Sequence, residues 1–188
     1  MSLTKDNTYI NCENRIFYLS DYVDNSSIGQ LCWSLIFQLQ EDDKKEAKEK
    51  DFQREPIKLY INSYGGSVYD MWALIDIIIN SKTPIHTYCT GYAMSAAFKI
   101  FLAGHKRFCT KHATFMYHQM SYGKEGKYQD LVEDRVQTDY LQKIIEEYEA
   151  YEQLLNNVDG VVLGTSLLFN KNNNYVKCIN NLKEKENV

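Results

Sequence analysis

Residues 57–90 read IKLYINSYGGSVYDMWALIDIIINSKTPIHTYCT, and the fold is decided there. Ile57 to Ile61 is β-branched and aromatic enough to read as a strand. Asn62-Ser-Tyr-Gly-Gly66 ends it abruptly. Val68, Met71, Trp72, Ile75, Ile78 and Ile79 then recur at the spacing of one helix face. Pro84 blocks the helix from continuing and opens a second strand, Ile85 to Thr90. A strand, a helix and a strand joined this tightly predict a βαβ unit.

The pattern extends on both sides. Upstream, Arg15-Ile-Phe-Tyr-Leu19 reads as a strand. Asp24-Asn-Ser-Ser27 offers several N-cap residues, and Ile28, Leu31, Cys32, Leu35, Ile36 and Leu39 follow at helical spacing. Glu41 to Glu55, EDDKKEAKEKDFQRE, is almost all charge with both signs mixed, and reads as a solvated helix extension and loop, the best place for an insertion. Downstream, Gly91-Tyr-Ala-Met-Ser95 leads into a short apolar helix through Ala103. Gly104 sits where a helix C-terminal glycine belongs. Arg107–Thr110 and Thr114–His118 read as short strands, and the loop Gln119–Gly126 carries two glycines. A long polar helix covers about 127–155. The tail 156–188 holds nine asparagines and shows strand character only at Val161–Leu163 and Tyr175–Ile179. The expected organisation is a polar segment 1–14, one α/β domain 15–155 with a largely parallel sheet and right-handed crossovers, and the divergent tail.

Composition narrows the function. The chain has 188 residues, a length that suits one domain with a real core. Its 21 basic and 25 acidic residues give a net charge of −4, against a general nucleic-acid binder. No apolar run approaches the ~20 residues of a membrane span. The first fifteen residues lack the apolar stretch of a signal peptide, so a cytoplasmic location is expected. The five cysteines are widely spaced, with no CxxC pair and no short spacing to a histidine, so no metal site is expected.

Three features carry chemistry. Gly65-Gly66 follows a strand directly; it is either a tight turn or a place where backbone N–H groups meet an anion. Ser95 stands at a predicted helix start, as an N-cap or as a nucleophile whose oxyanion would meet the N–H groups of Gly66 and Ala96. The surroundings are not GxSxG, because Ala93 and Ala97 hold the flanking positions. His118 ends a strand and could serve Ser95 as general base. Lys99, one turn after Ser95, reads as a surface lysine, with a Ser–Lys dyad as the alternative. His86, His105 and His112 have no motif around them.

Taken together, RIFYL, IKLYINSYGGSVYD, TPIHTYCTGYAMSAAFKIFLAG, KRFC and FMYHQM resemble, in order and spacing, the Clp protease proteolytic subunit family of the crotonase-like superfamily. The variant looks like the divergent members found in phages and prophages. The resemblance implies a repeated β-α-β superhelix with a protruding handle helix at about 127–155. It implies a serine endopeptidase with Ser95 as nucleophile, His118 as base and Gly66 and Ala96 as oxyanion hole. An unfolded polypeptide substrate would lie as an added strand beside Gly65, Gly66, Ser67 and Val68 and the loop bearing Tyr122, Gly123 and Gly126. It implies stacked homo-oligomeric rings, usually heptameric, served by an AAA+ ATPase, with no cofactor, nucleic acid or membrane.

The sequence also departs from the family. NSPGG is NSYGG, with Tyr64 for proline; Ala96-Ala97 follows the serine where Met-Gly is common; HQP is His118-Gln-Met120. The segment before Arg15 is shorter than the family's axial loop region. The family's third triad aspartate lies in a segment like ERDxF, absent here, and Asp159 is the one aspartate beyond Asp139. Two other readings stay open: a non-catalytic or partner-activated ring subunit, and a crotonase-type enzyme acting on a coenzyme A thioester.

Overall fold

A computed structural model describes residues 2–3, 8–116, 135–140, 166–169 and 175–179. The chain divides into two compact units, residues 1–117 with 159–188, and residues 118–158.

The first unit is built on one sheet. Its strands are β1 (Ser2–Leu3), β2 (Thr8–Asn11), β3 (Ile16–Leu19), β4 (Ile57–Ser63), β5 (Ile85–Met94), β6 (Lys106–Cys109), β7 (Thr114–Met116), β8 (Ser166–Phe169) and β9 (Tyr175–Ile179). Among its described residues three helices intervene: α1 (Asn25–Lys48), α2 (Val68–Asn80) and α3 (Ala96–Ala103). The order is β1-β2-β3-β4-β5-β7-β8-β9, with β6 also paired to β5. From β3 through β8 the pairings are parallel; β1-β2-β3 and β8-β9 are antiparallel. The mixed α/β architecture expected from residues 57–90 is present.

Alternation along the strands sorts the two faces. Ile57, Leu59, Ile61 and Ser63 of β4 are buried, as are Phe17 and Leu19 of β3 and Cys89 and Ala93 of β5. Helix α2 contributes Met71, Leu74, Ile75 and Ile78 to the same core, and every residue of α3 is buried. The alternate positions carry aromatic rings in register: Tyr9 opposite Tyr18, Tyr18 opposite Tyr60, Tyr60 opposite Tyr88, Tyr88 opposite Phe108. Ring centroids there lie 6.0, 6.5, 4.8 and 4.7 Å apart. Cross-strand aromatic pairs of this kind fix register.

Asp24 caps α1. Its carboxylate accepts from Ser27 N at 2.9 Å, and Asp24 N donates to Ser27 Oγ at 3.2 Å, a reciprocal capping box. The charged stretch is a helix extension as far as Lys48, but it is not wholly solvated. Buried positions along α1 run Ile28, Leu31, Leu35, Gln38 and Asp42, so Asp42 falls on the core stripe. The buried carboxylate receives Arg15 through two hydrogen bonds, 2.9 and 2.7 Å, and Thr83 Oγ1 at 2.8 Å. Arg54 folds back on the same region, bonding Thr83 Oγ1 at 3.0 Å and pairing with Asp43 and Glu46 at 2.6 Å each. Burial alone would raise the Asp42 carboxyl. The hydrogen bonds from Arg15 and Thr83 and the charges of Arg15 and Arg54 outweigh it and hold the group below its usual range.

Some assignments differ from the sequence reading, among them β1 and β2, which lie in the segment 1–14 read as polar and without period. β5 does not stop at Thr90 but runs to Met94, because β7 replaces β6 as its partner from Tyr92 onward. Gly104 is the C-cap of α3 as expected, but with φ −59° it is not left-handed; glycine is needed there because a Cβ would run into the Thr87 side chain. In the tail, β9 matches the expected strand and β8 was not anticipated, while Val161–Leu163 lies outside the described residues. Of the expected helix 127–155, only residues 135–140 are described, and they are helical. No helix among the described residues is long and apolar enough to cross a membrane.

Candidate active site

Ser95 stands where β5 turns into α3. Its backbone has φ 52° and ψ −121°, in the left-handed region that L residues avoid. Such a conformation costs about 1–3 kcal/mol and persists only where the surroundings enforce it. The turn is pinned from β7, since Ser95 N donates to the Met116 carbonyl at 2.8 Å. From α3, Phe98 N and Lys99 N donate to the Ser95 carbonyl at 3.1 and 3.4 Å. Ser95 is the N-cap of α3 by position, but its hydroxyl makes no capping bond. Ala93 and Ala97 are fully buried on either side. A sharp strand-to-helix turn needs small residues two before and two after the serine, and alanine meets that need where GxSxG uses glycine.

The glycine pair lies against this turn. Gly65 has φ 93° and Gly66 φ 153°. A Cβ on Gly65 would stand 2.5 Å from Met94 O, 2.9 Å from Ala96 N and 2.9 Å from Ser95 Cβ. Only a glycine permits that approach. The loop is held from behind by Val23: Val23 N donates to Gly65 O at 2.9 Å, and Ser67 N to Val23 O at 2.7 Å. Gly65 N is taken by Ser63 Oγ at 3.1 Å. Backbone groups of an extended segment alternate in direction. With Gly65 and Ser67 turned toward Val23, the Gly66 N–H faces the other way, and Gly66 is exposed. The Ala96 N–H is among the first of α3, which has no intrahelical acceptor. Ser67 also caps α2, its Oγ accepting from Asp70 N at 3.3 Å, and Val68 begins that helix.

His118, Asp159, Tyr122, Gly123 and Gly126 lie outside the described residues. Met116, two residues before His118, is the residue whose carbonyl holds Ser95.

Lys99 is corrected. It is not a surface lysine: it is 5% exposed, within a helix buried on every side. Burial pushes its ammonium down to about 7. The run AAFKIFLA, apolar all round, was the available signal that this helix has no solvent face. His105 is structural: Ile85 N donates to its Nδ1 at 3.1 Å, and His105 N donates to the Ile85 carbonyl at 2.9 Å. Two of the thiols are held back from competing with Ser95. Burial first pushes Cys32 up to about 11 and Cys89 to about 12, so neither is a thiolate at neutral pH. Among the described residues no group of three or more His, Cys, Asp or Glu is arranged to hold a metal ion. The roles of Val23 and Met116 left no mark in the sequence pattern, because both act through backbone groups.

Fold and site together define an α/β protein with a strained serine turn set against a glycine loop. The Clp protease family model matches residues 5–156. The ATP-dependent Clp protease proteolytic subunit 2 of Synechococcus sp. (strain CC9605) is 34% identical over 127 residues, 66% of this chain and 58% of that protein. A proteolytic subunit 1 from Prochlorococcus marinus (strain NATL2A) is 37% identical over 127 residues, 66% of this chain and 58% of that one. Among solved structures, a point mutant of ClpP1 from Listeria monocytogenes superimposes with a TM-score of 0.61 at 20% identity, covering 79% of this chain and 81% of that one. The chain belongs to the Clp protease family. It spans 58% of the length of the first of these relatives.

Proposed function

We propose that this chain is the proteolytic subunit of a self-compartmentalising serine endopeptidase that cleaves unfolded polypeptides. The observation that carries the reading is the strained Ser95 turn, with its hydroxyl released from capping and Gly65 packed against it. In acylation, Ser95 Oγ bonds to the scissile carbonyl carbon while its proton passes to His118. The oxyanion so formed takes hydrogen bonds from Gly66 N and Ala96 N. His118 then gives the proton to the leaving amine, and water completes the cycle by the reverse sequence. Gly65 N is already bonded to Ser63, which favours Gly66 as the loop's donor. The covalent link from Met116 to His118 supports the choice of base, since two residues of chain span about 7 Å at most. Asp159 is assigned as the group that orients His118.

Substrate adds as a strand along the outward edge of Gly66 and Val68, the edge left open by the pairing with Val23. The family resemblance adds Tyr122, Gly123 and Gly126 to the residues assigned to substrate contact. Assembly into rings is supported by an uncovered apolar face on α1, where Trp33 is 74%, Ile36 41% and Phe37 52% exposed. Neighbours at i, i+3 and i+4 make one contiguous stripe. An ATPase partner is supported by the name of the relatives, ATP-dependent Clp protease.

The test is labelling with a fluorophosphonate, mapped by mass spectrometry, on wild type, Ser95→Ala and His118→Ala. Modification of Ser95 alone, lost in both variants, is expected. A native protein that takes up no label refutes the reading.

A further inference from the structure

Strands β4 and β5 pair regularly from Ile57 opposite Ile85 to Ile61 opposite Cys89, and then the register shifts. The next pair is Ser63 with Ala93. Asn62 alone on β4 therefore faces Thr90, Gly91 and Tyr92 on β5, two residues more than a regular ladder holds. Because the excess is even, the alternation of faces survives, and Ala93 stays in the core as Cys89 does. The bulge decides what Ser95 meets. An unbroken ladder would carry Ser95 to the level of Ser67. The shifted register carries it to the level of Gly65, the glycine whose Cβ would stand 2.9 Å from Ser95 Cβ. Bulges beside active sites re-aim side chains in this way.

A bulge takes backbone groups out of the ladder, and they have to be met by other means. Asn62 meets one: Tyr92 N donates to its Oδ1 at 3.1 Å. The Cys89 sulfur takes a hydrogen bond from the Gly91 backbone. The Thr90 carbonyl accepts from Thr110 Oγ1 at 3.1 Å. Gly91 makes room for the amide, since a Cβ there would lie 2.2 Å from Asn62 Oδ1. The next residue along β4, Ser63, accepts from Gly65 N at 3.1 Å. Two consecutive side chains thus hold the two halves of the site, Asn62 the strand that leads to Ser95 and Ser63 the glycine turn.

We propose that Asn62 is a positioning residue for Ser95: its side-chain carbonyl takes the place of a strand carbonyl at the bulge of β5 and so sets the register at which Ser95 meets the glycine loop. It acts through Tyr92 and touches no reacting atom. The inference rests on the serine peptidase reading above and adds a residue on which the efficiency of its nucleophile depends.

The test follows fluorophosphonate labelling of Ser95 in time, over a range of probe concentrations, on the full chain. The proteins are wild type, Asn62→Leu, Asn62→Asp and Gly91→Ala, with Asp42→Asn as a variant that weakens the fold elsewhere. The measurement separates the labelling rate at saturation from the half-saturating concentration, and both from the fraction that labels at all. Asn62→Leu keeps the bulk and loses the acceptor, so its saturating rate should fall about tenfold or more, as misplaced reacting groups do, with the half-saturating concentration unchanged. Asn62→Asp keeps an oxygen for Tyr92 N and should regain most of that rate. Gly91→Ala, which pushes the amide aside, should be slow like Asn62→Leu. Asp42→Asn should lower only the labelled fraction. A saturating rate in Asn62→Leu equal to wild type, or an Asn62→Asp as slow as Asn62→Leu, overturns the inference and leaves the peptidase reading intact. A loss confined to the labelled fraction makes Asn62 merely structural and overturns it equally. If Asn62→Leu does not fold, the contrast between Asn62→Asp and Gly91→Ala decides by the same criteria. A wild type that takes up no label refutes the peptidase reading itself, and the inference falls with it.

Discussion

Replacing Lys99 by methionine tests the environment of the helix that carries the nucleophile. The two side chains have similar length, so the cavity stays filled while the charge disappears. In the folded protein burial depresses the ammonium from the ordinary 10.5 to about 7. Above 10.5 both folded and unfolded chains hold a neutral amine. Between the two values only the unfolded chain binds the proton, and below about 7 both are charged. Stability contributed by this group is therefore present above 10.5 and is lost as the pH falls toward 7. Each pH unit in that window is worth about 1.4 kcal/mol, so the loss at the low end is about 3–5 kcal/mol. Urea denaturation of wild type and Lys99→Met at pH 6, 8 and 10 measures it. The stability of the variant relative to wild type is expected to rise by about 3–5 kcal/mol between pH 10 and pH 6. A gap that stays constant from pH 6 to pH 10 would refute the argument, because Lys99 would then titrate alike in the folded and unfolded chains.

Further outcomes are expected elsewhere. Asp42→Asn leaves Arg15 facing a neutral group in a buried pair and should cost about 2–4 kcal/mol, lowering Tm by roughly 4–15 °C; the half-exposed neighbour Glu41→Gln should leave the melting curve in place. Ser95→Gly relieves the backbone strain and should gain about 1 kcal/mol in urea denaturation while abolishing phosphonate labelling, whereas Ser95→Ala abolishes labelling without the gain. Gly65→Ala forces a methyl group onto Met94 O and Ser95, so labelling should fall at least about tenfold with the circular dichroism spectrum preserved. Trp33→Glu combined with Phe37→Glu should shift the sedimenting species from oligomer to monomer if the α1 face joins subunits.

Local pattern alone determined much of this protein. Hydrophobic periods of two and of 3.6, interrupted at Asn62–Gly66, Pro84 and Gly91–Ser95, placed β4, α2, β5 and α3 within a few residues, because burying one face of an element imposes its period on the sequence. The same order of segments carried the family resemblance and marked Gly65, Gly66 and Ser95. What the chain could not disclose were contacts between residues far apart in sequence. Whether Asp42 is solvated depends on Arg15 and Thr83, and neither is visible from within a run of charges. Whether Lys99 is on the surface depends on which elements cover a two-turn helix, and here all its sides are covered. The extension of β5 to Met94 depends on β7 arriving beside it. The Ser95 conformation likewise depends on partners supplied from a distance: the Met116 carbonyl on one side and, on the other, a glycine loop clamped by Val23. Burial and strain are properties of the assembled neighbourhood. A sequence can name the serine, but only the packed sheet holds it in a conformation that it would otherwise avoid.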